Sequence, residues 1–227
     1  MYSIVDQTDG FLLIDKSPGV SIHKDQQVAG LIMQVQRDLG LAELYPVHRL
    51  DRITSGLLLL AKNRAAATEL SMQFQNQQVV KFYLALSDKK PKKKQGLVKG
   101  DMAKARRGSW KLMKSMGNPA ITQFFSHSVE PGLRLFLLKP LSGKTHQIRV
   151  ALKSVGAPII GDQRYHEQTE VEPDRGYLHA YYLAFAFQGK DYHYRCAPRV
   201  GELFTRSTTR SLIDAWDEPA ALIWPTV

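Results

Sequence analysis

The feature that most constrains this chain is a row of short apolar runs, none longer than a strand. The sharpest is LLLLA at residues 57–61, directly behind the charged stretch HRLDR at 48–52. Five apolar residues are far too few to cross a bilayer, and the run reads as a short strand covered on both faces. A carboxylate between two arginines at the mouth of such a strand is either a surface ion pair or an aspartate held where a substrate can reach it. Other runs repeat the pattern: FLLID at 11–15, VVKFYLALS at 79–87, YLHAYYLAFAF at 177–187 and DYHYRCAP at 191–198. ITQFFSHS and RLFLLKP form an expected strand pair around the EPG turn. YPVHRLD is expected to be extended, with Arg49 and Asp51 on one face and His48 and Leu50 on the other, and TSG to turn the chain into LLLLA.

Helical spacing interrupts these strands. Val28, Leu31, Ile32, Val35 and Leu39 form one stripe, with Gly40 as its stop. A second helix is expected over 64–76 with Ala67, Leu70 and Phe74 inward. A third carries Ile148, Ala151, Leu152 and Val155 behind Thr145 as cap, and a last one lies near 207–216. EQTEVEPDRG reads as a loop. There is no internal repeat and no regular alternation of strand and helix, so the fold class is α+β with a mixed, largely antiparallel central sheet and flanking helices.

The chain has 31 basic and 21 acidic residues, and the imbalance is local. Residues 89–114 hold eleven Lys or Arg and one acid, Asp101; removing them leaves 20 of each sign. Positive charge concentrated with Gly and Trp110 suits a flexible arm for a polyanion, the alternative being a solvated loop. Lysine neutralises phosphate without regard to sequence, so the patch indicates nucleic acid but not which one. Cys196 is the only cysteine, which excludes an internal disulfide and fits a reducing compartment. The start, MYSIVDQTDG, lacks the basic and apolar regions of a secretory signal. A cytoplasmic protein is expected.

Three chemistries fail on spacing. SGKT at 142–145 echoes the end of a phosphate-binding loop, but position 138, where that loop needs glycine, is leucine. HRLD brushes against the kinase catalytic loop, with no Asp-Phe-Gly after it and no glycine-rich loop before it. The seven histidines never pair at metal-ligand spacing, and one cysteine cannot build a zinc site, so no metal is expected.

One constellation remains. HRLDRITSGLLLLAKN resembles the signature of RluA-type pseudouridine synthases, His-Arg-Leu-Asp-x-x-Thr-Ser-Gly followed by apolar residues. KFYLAL is similar to that family's Lys-x-Tyr strand, SGKTHQIRVAL to its Gly-Arg-Thr-His-Gln-Ile/Leu-Arg segment, PIIGDQRY to Gly-Asp-x-x-Tyr and LHAYYLAF to a later Leu-His-Ala strand. The motifs stand in the family's order across residues 11–187. The departures are Lys144 for the usual arginine, Ala151 where histidine is common, and DKSPG for Asn-Lys-Pro-x-Gly. The chain begins at the core motifs, so it resembles the single-domain members without an RNA-binding extension.

The resemblance implies a pseudouridine synthase fold over a single catalytic domain, 1–227, within which the local charge marks a basic insert at 88–117 that is expected to be flexible. It implies a cofactor-free enzyme acting on a uridine of ribosomal or transfer RNA, and leaves the oligomeric state open with a monomer expected. By resemblance Asp51 is the nucleophile or cation-stabilising anion near C1′, Tyr83 stacks on the target base and helps move the C5 proton, and Arg149 holds Asp51. A free aspartate is ionised at neutral pH, but an apolar pocket opposes that charge, so a guanidinium is needed. Ile148 would line the same pocket, and Arg49 would fill the space left by a flipped-out base. RNA contacts are expected from Arg52, Thr54, Lys144 and His146, and from Lys89, Lys90, Lys92, Lys93, Lys94, Arg106 and Arg107 in the insert.

Taken singly, each residue has a plainer reading. Asp51 with Arg49 or Arg52 is a surface pair of about 0–1 kcal/mol, Arg149 lies on a solvent face, and Tyr83 is strand packing. His48, His146 and His179 read as hydrogen-bonded scaffold, and Thr54 and Ser55 as a turn cap. The rival functions are a non-catalytic RNA-binding protein on the same fold and a nucleotide-dependent enzyme using SGKT.

Overall fold

The computed structural model describes residues 1–22, 30–166 and 172–226. In chain order the elements are β1 (Tyr2–Gln7), β2 (Phe11–Lys16), α1 (Leu31–Asp38), β3 (Tyr45–Pro46), β4 (Thr54–Ala61), α2 (Arg64–Gln75) and β5 (Val80–Ser87). They continue with β6 (Gln95–Gly100), β7 (Met102–Lys104), β8 (Trp110–Leu112), β9 (Ala120–Glu130), β10 (Leu133–Pro140) and α3 (Gln147–Ser154). The last are β11 (Leu178–Phe187), β12 (Lys190–Arg195), α4 (Glu202–Thr205) and α5 (Ser207–Asp214). The chain divides into two compact units, Met1–Val80 with Ala180–Cys196, and Lys81–His179 with Ala197–Val227.

In the first unit the strands run in the order β1-β2-β4-β11, with β12 on β11 and β3 on β4. β2 and β4 are antiparallel, Phe11 opposite Ala61 and Lys16 opposite Gly56. Every residue of β4 is buried, so the apolar run is a central strand with neither face in water. α2 starts where the Asn63 side chain accepts the Ala66 N–H at 2.9 Å. It buries Ala66 and Leu70. α1 stops where the Gly40 N–H reaches the Arg37 carbonyl; Val28, expected in its stripe, lies outside the described residues.

In the second unit β5-β10-β9-β6 form an antiparallel sheet, and β7–β8 a separate hairpin. The expected pair around Pro131 and Gly132 is β9–β10. Composition alone suggests an arm for the basic stretch, yet residues 95–112 include three strands. Alternating residues of β6 face inward, and its backbone completes the edge of β9, which gives this charged segment a reason to order.

Several local expectations need correction. β3 ends at Pro46, so residues 47–50 are not a strand and the alternation argument for Arg49 and Asp51 lapses. Thr54-Ser55-Gly56 does not turn but already belongs to β4; the turn is one step earlier, closed by the Thr54 N–H on the Asp51 carbonyl at 3.0 Å. Thr145 does not cap α3: the N-cap is His146, in left-handed conformation with φ 57°. β1 has no apolar run to mark it, its residues being mostly exposed on an edge strand. Of the expected acidic loop, 167–171 lie outside the described residues.

Candidate active site

In the first unit Asp51 lies in the short segment between Leu50, which is buried, and β4. Its side chain is half-buried. Two anchors fix that segment. On one side His48 stacks on Phe74 of α2 at 4.5 Å and accepts the Leu59 N–H at Nε2 over 2.9 Å. An imidazole that accepts at one nitrogen carries no proton there, so Nε2 of His48 is engaged in holding the Leu59 backbone. On the other side Lys16 is fully buried, and its ammonium reaches the carbonyls of Ser17 (3.0 Å), Val20 (2.9 Å) and Arg52 (3.4 Å). Arg52 answers through Nε to the Gly19 carbonyl at 2.9 Å. The Lys-Ser-Pro-Gly turn is therefore a clamp on the residue after Asp51. Arg49 is exposed, while Thr54 and Ser55 are buried.

Gly56 shows why this signature contains glycine. Its φ is +102°, and a Cβ there would sit 2.2 Å from the Ala180 carbonyl oxygen of β11. Backbone meets backbone at that point, which only glycine permits. The HRLD-to-GLLLLA motif and the Leu-His-Ala strand thus meet through main chain.

In the second unit the key segment is α3 and the loop before it. Gln147, buried, uses its whole amide: Oε1 accepts from Ser142 Oγ (2.8 Å) and the Lys144 N–H (3.0 Å), and Nε2 donates to the Ile121 carbonyl (3.0 Å) and Thr122 Oγ1 (3.1 Å). This fixes SGKTHQ as a rigid loop. The Lys144 ammonium donates to the Asn118 carbonyl. Asp101 holds residues 115–118 by accepting from Ser115, Asn118 and Gly117, and those bonds, with Lys144 nearby, hold its carboxyl below the usual range.

Arg149 is only 5 % exposed, which removes its reading as a solvent-face residue. Its fork takes Asp162 two-pronged, Nε to Oδ2 at 2.7 Å and a terminal nitrogen to Oδ1 at 2.8 Å. The family resemblance points from Arg149 to Asp51 and does not name Asp162, although an acid inside the apolar PIIGD stretch is the signal for a buried arginine's partner. Tyr165 packs under the same guanidinium, 4.9 Å from its ring centre. Ile148 is buried beside Arg149 on α3.

Tyr83 lies on β5 opposite Leu138 and is half-buried. Lys81, two residues earlier on the same face, has its ammonium pKa lowered by burial. The exposed cations form a separate group: Lys89, Lys90, Lys92, Lys93 and Lys94 ahead of β6, and Arg106 and Arg107 at the tip of the β7–β8 hairpin. Their backbones are pinned, Lys94 accepting from the Ser126 N–H at 2.7 Å. His146 bonds Tyr165 and is half-buried, and His179 lies edge-on to Phe204. Among the described residues no three of His, Cys, Asp and Glu are grouped to hold a metal ion, and no helix is long and apolar enough to cross a membrane.

The order of motifs and the antiparallel sheets define a class, the RNA pseudouridine synthases, which are isomerases acting on RNA. The family model described as RNA pseudouridylate synthase matches residues 10–154. The chain belongs to the RluA-type RNA pseudouridine synthase family. A Haemophilus influenzae protein named uncharacterized RNA pseudouridine synthase is 49% identical over 213 residues, 94% of this chain and 95% of that one. The ribosomal large subunit pseudouridine synthase C of Rickettsia typhi is 35% identical over 176 residues, 74% of this chain but 57% of the relative, so the chain spans just over half of that protein. Among solved structures, human RNA pseudouridylate synthase domain containing 1 matches with TM-score 0.76 and 25% identity, over 100% of this chain and 97% of that one. A second human protein, domain containing 4, matches at 0.72 and 23% identity, over 92% and 93%.

Proposed function

We propose that this enzyme isomerises a uridine in large-subunit ribosomal RNA, with Asp51 as the group that acts at C1′ of a flipped-out nucleotide. In the reaction the N1–C1′ bond breaks, the base turns, C5 bonds to C1′, C5 gives up its proton and N1 is left carrying one. The sugar becomes electron-poor as N1 leaves, and an ionised carboxylate is the group that answers that charge. The observation that carries this reading is the anchored position of Asp51: half-buried, on a segment clamped by Lys16 on one side and His48 on the other, inside the strongest family motif.

Tyr83 is the residue for stacking on the uracil and moving its C5 proton, and Arg149 is the third member of the catalytic set. Arg49, exposed ahead of Asp51, takes the place of the flipped base. The names of the synthase C relatives favour ribosomal over transfer RNA, and work on such a substrate belongs in the cytoplasm. Tritium release from RNA carrying 5-labelled uridine tests the assignment. Asp51→Ala is expected to abolish release while leaving RNA affinity within a few-fold. Release at the wild-type rate from that variant overturns it, and a wild-type protein that binds RNA without release supports the non-catalytic alternative. Mapping pseudouridine in ribosomal and transfer RNA with and without the gene identifies the target.

A further inference from the structure

Tyr165 joins two parts of the second unit that no sequence motif connects. Its hydroxyl accepts the backbone N–H of Trp110, in β8 of the basic hairpin, at 2.7 Å, and lies 2.8 Å from Nδ1 of His146, the residue that opens α3. The ring itself is buried under the Arg149 guanidinium. Since the Trp110 N–H occupies one lone pair, the phenol proton remains to be placed. Among the described residues His146 Nδ1 is the acceptor paired with it. Trp110 N–H, the Tyr165 hydroxyl and His146 Nδ1 thus form one chain of bonds, and in the tautomer that carries its proton on Nε2 the imidazole accepts the phenol proton at Nδ1. The neighbouring Arg164 donates to the Arg107 carbonyl at the hairpin's tip. Residues 164–165 thus hold the hairpin at its tip and at its second strand.

We propose that Tyr165 is a positioning residue: it fixes the hairpin that carries Lys104, Arg106, Arg107 and Lys111 against the turn that opens the Arg149 helix, so that an RNA strand gripped by its phosphates on the hairpin is held in register with that helix. The proposal rests on the reading of the basic segment as RNA-binding. A swinging hairpin would still neutralise phosphate, but it would have to be ordered each time RNA bound. A hairpin fixed in advance binds without that cost, and the cation positions relative to α3 become a length standard along the RNA backbone.

The test uses the full-length enzyme and an RNA containing the mapped uridine. Tyr165→Phe keeps the ring beneath Arg149 and removes only the hydroxyl. Its KM for RNA should rise about three- to tenfold, the magnitude of one missing hydrogen bond, with kcat nearly unchanged. The salt dependence of RNA binding should flatten. Ring-nitrogen NMR of His146 should show the Nε2–H form in the wild type and a mixture of tautomers in the variant, a change that looser packing alone would not produce. Arg106→Gln with Arg107→Gln supplies the second arm. An unchanged salt slope there removes the RNA-grip reading itself. A flattened slope there, with KM and slope unmoved in Tyr165→Phe, removes the positioning role alone. A fall in the active fraction with KM constant would make Tyr165 merely structural and also overturn the proposal.

Discussion

Arg149 and Asp162 close a two-pronged ion pair, 2.7 and 2.8 Å long, with side chains 6% and 0% exposed. A pair so deeply buried contributes little net stability when intact, because desolvating two charges is expensive. Breaking it leaves a charge in the core with nothing opposite. The consequence is that the arginine of α3 is itself a supported group, oriented by an acid thirteen residues later.

Asp162→Ala should therefore cost about 3–5 kcal/mol in urea or guanidinium unfolding. Adding Arg149→Met to that variant should cost much less than the same change in the wild type. Simple additivity of the two effects would show that the pair is not coupled.

Gly56→Ala places a methyl 2.2 Å from a main-chain oxygen in a conformation that L-residues rarely take. Neither neighbour can yield, since both are backbone within the sheet. The variant is expected to lose at least about 4 kcal/mol, enough to prevent soluble accumulation of many domains. A soluble Gly56→Ala protein with the wild-type melting temperature would contradict the close approach.

Tyr177 provides a pH signature. Burial, and then its hydrogen bond to Asp174, push its phenol up to about 12 from the ordinary 10.0. A raised pKa means that the native state keeps this proton while the unfolded state sheds it. The stabilisation is complete below pH 10, falls between 10 and about 12, and is gone above. Stability measured from pH 9 to 12 should drop less steeply in Tyr177→Phe than in the wild type. Parallel curves would assign the alkaline loss to other groups.

Lys89, Lys90, Lys92, Lys93 and Lys94 are exposed ahead of an ordered strand. Changing all five to glutamine should weaken RNA binding and reduce the slope of log K against log salt by about 0.7 for each single-strand phosphate that is no longer neutralised. Folding should be unaffected, as the side chains are in water. A slope equal to the wild type's would separate this cluster from RNA recognition.

Much of the fold is legible in one dimension where one local rule dominates. The fully buried β4 is an unbroken apolar run, α2 follows a good Asn cap, and the β9–β10 pair is marked by its Pro-Gly turn. Local rules fail where distant backbone decides. Residues 47–50 have an extended pattern yet are shaped by His48 bonding to Leu59, and α3 opens on a left-handed histidine that Tyr165 holds, not on a threonine cap. The basic stretch reads as an arm because charge is its visible property; its place on the edge of β9 depends on a partner strand that lies beyond it in the chain.

What the sequence determined by itself is the chemistry available: an aspartate in HRLD, a tyrosine two after a lysine, an arginine six residues after Gly143, and a cluster of cations, all in an order that one family shares. The tertiary structure alone decided which groups support them. Lys16 acts on the backbone of residue 52, Asp162 on Arg149, and Tyr165 on both His146 and the hairpin. The reason is physical. A side chain's chemical capacity is set by its own atoms, but its orientation and charge state depend on what is packed against it, and those neighbours come from parts of the chain that only folding brings together.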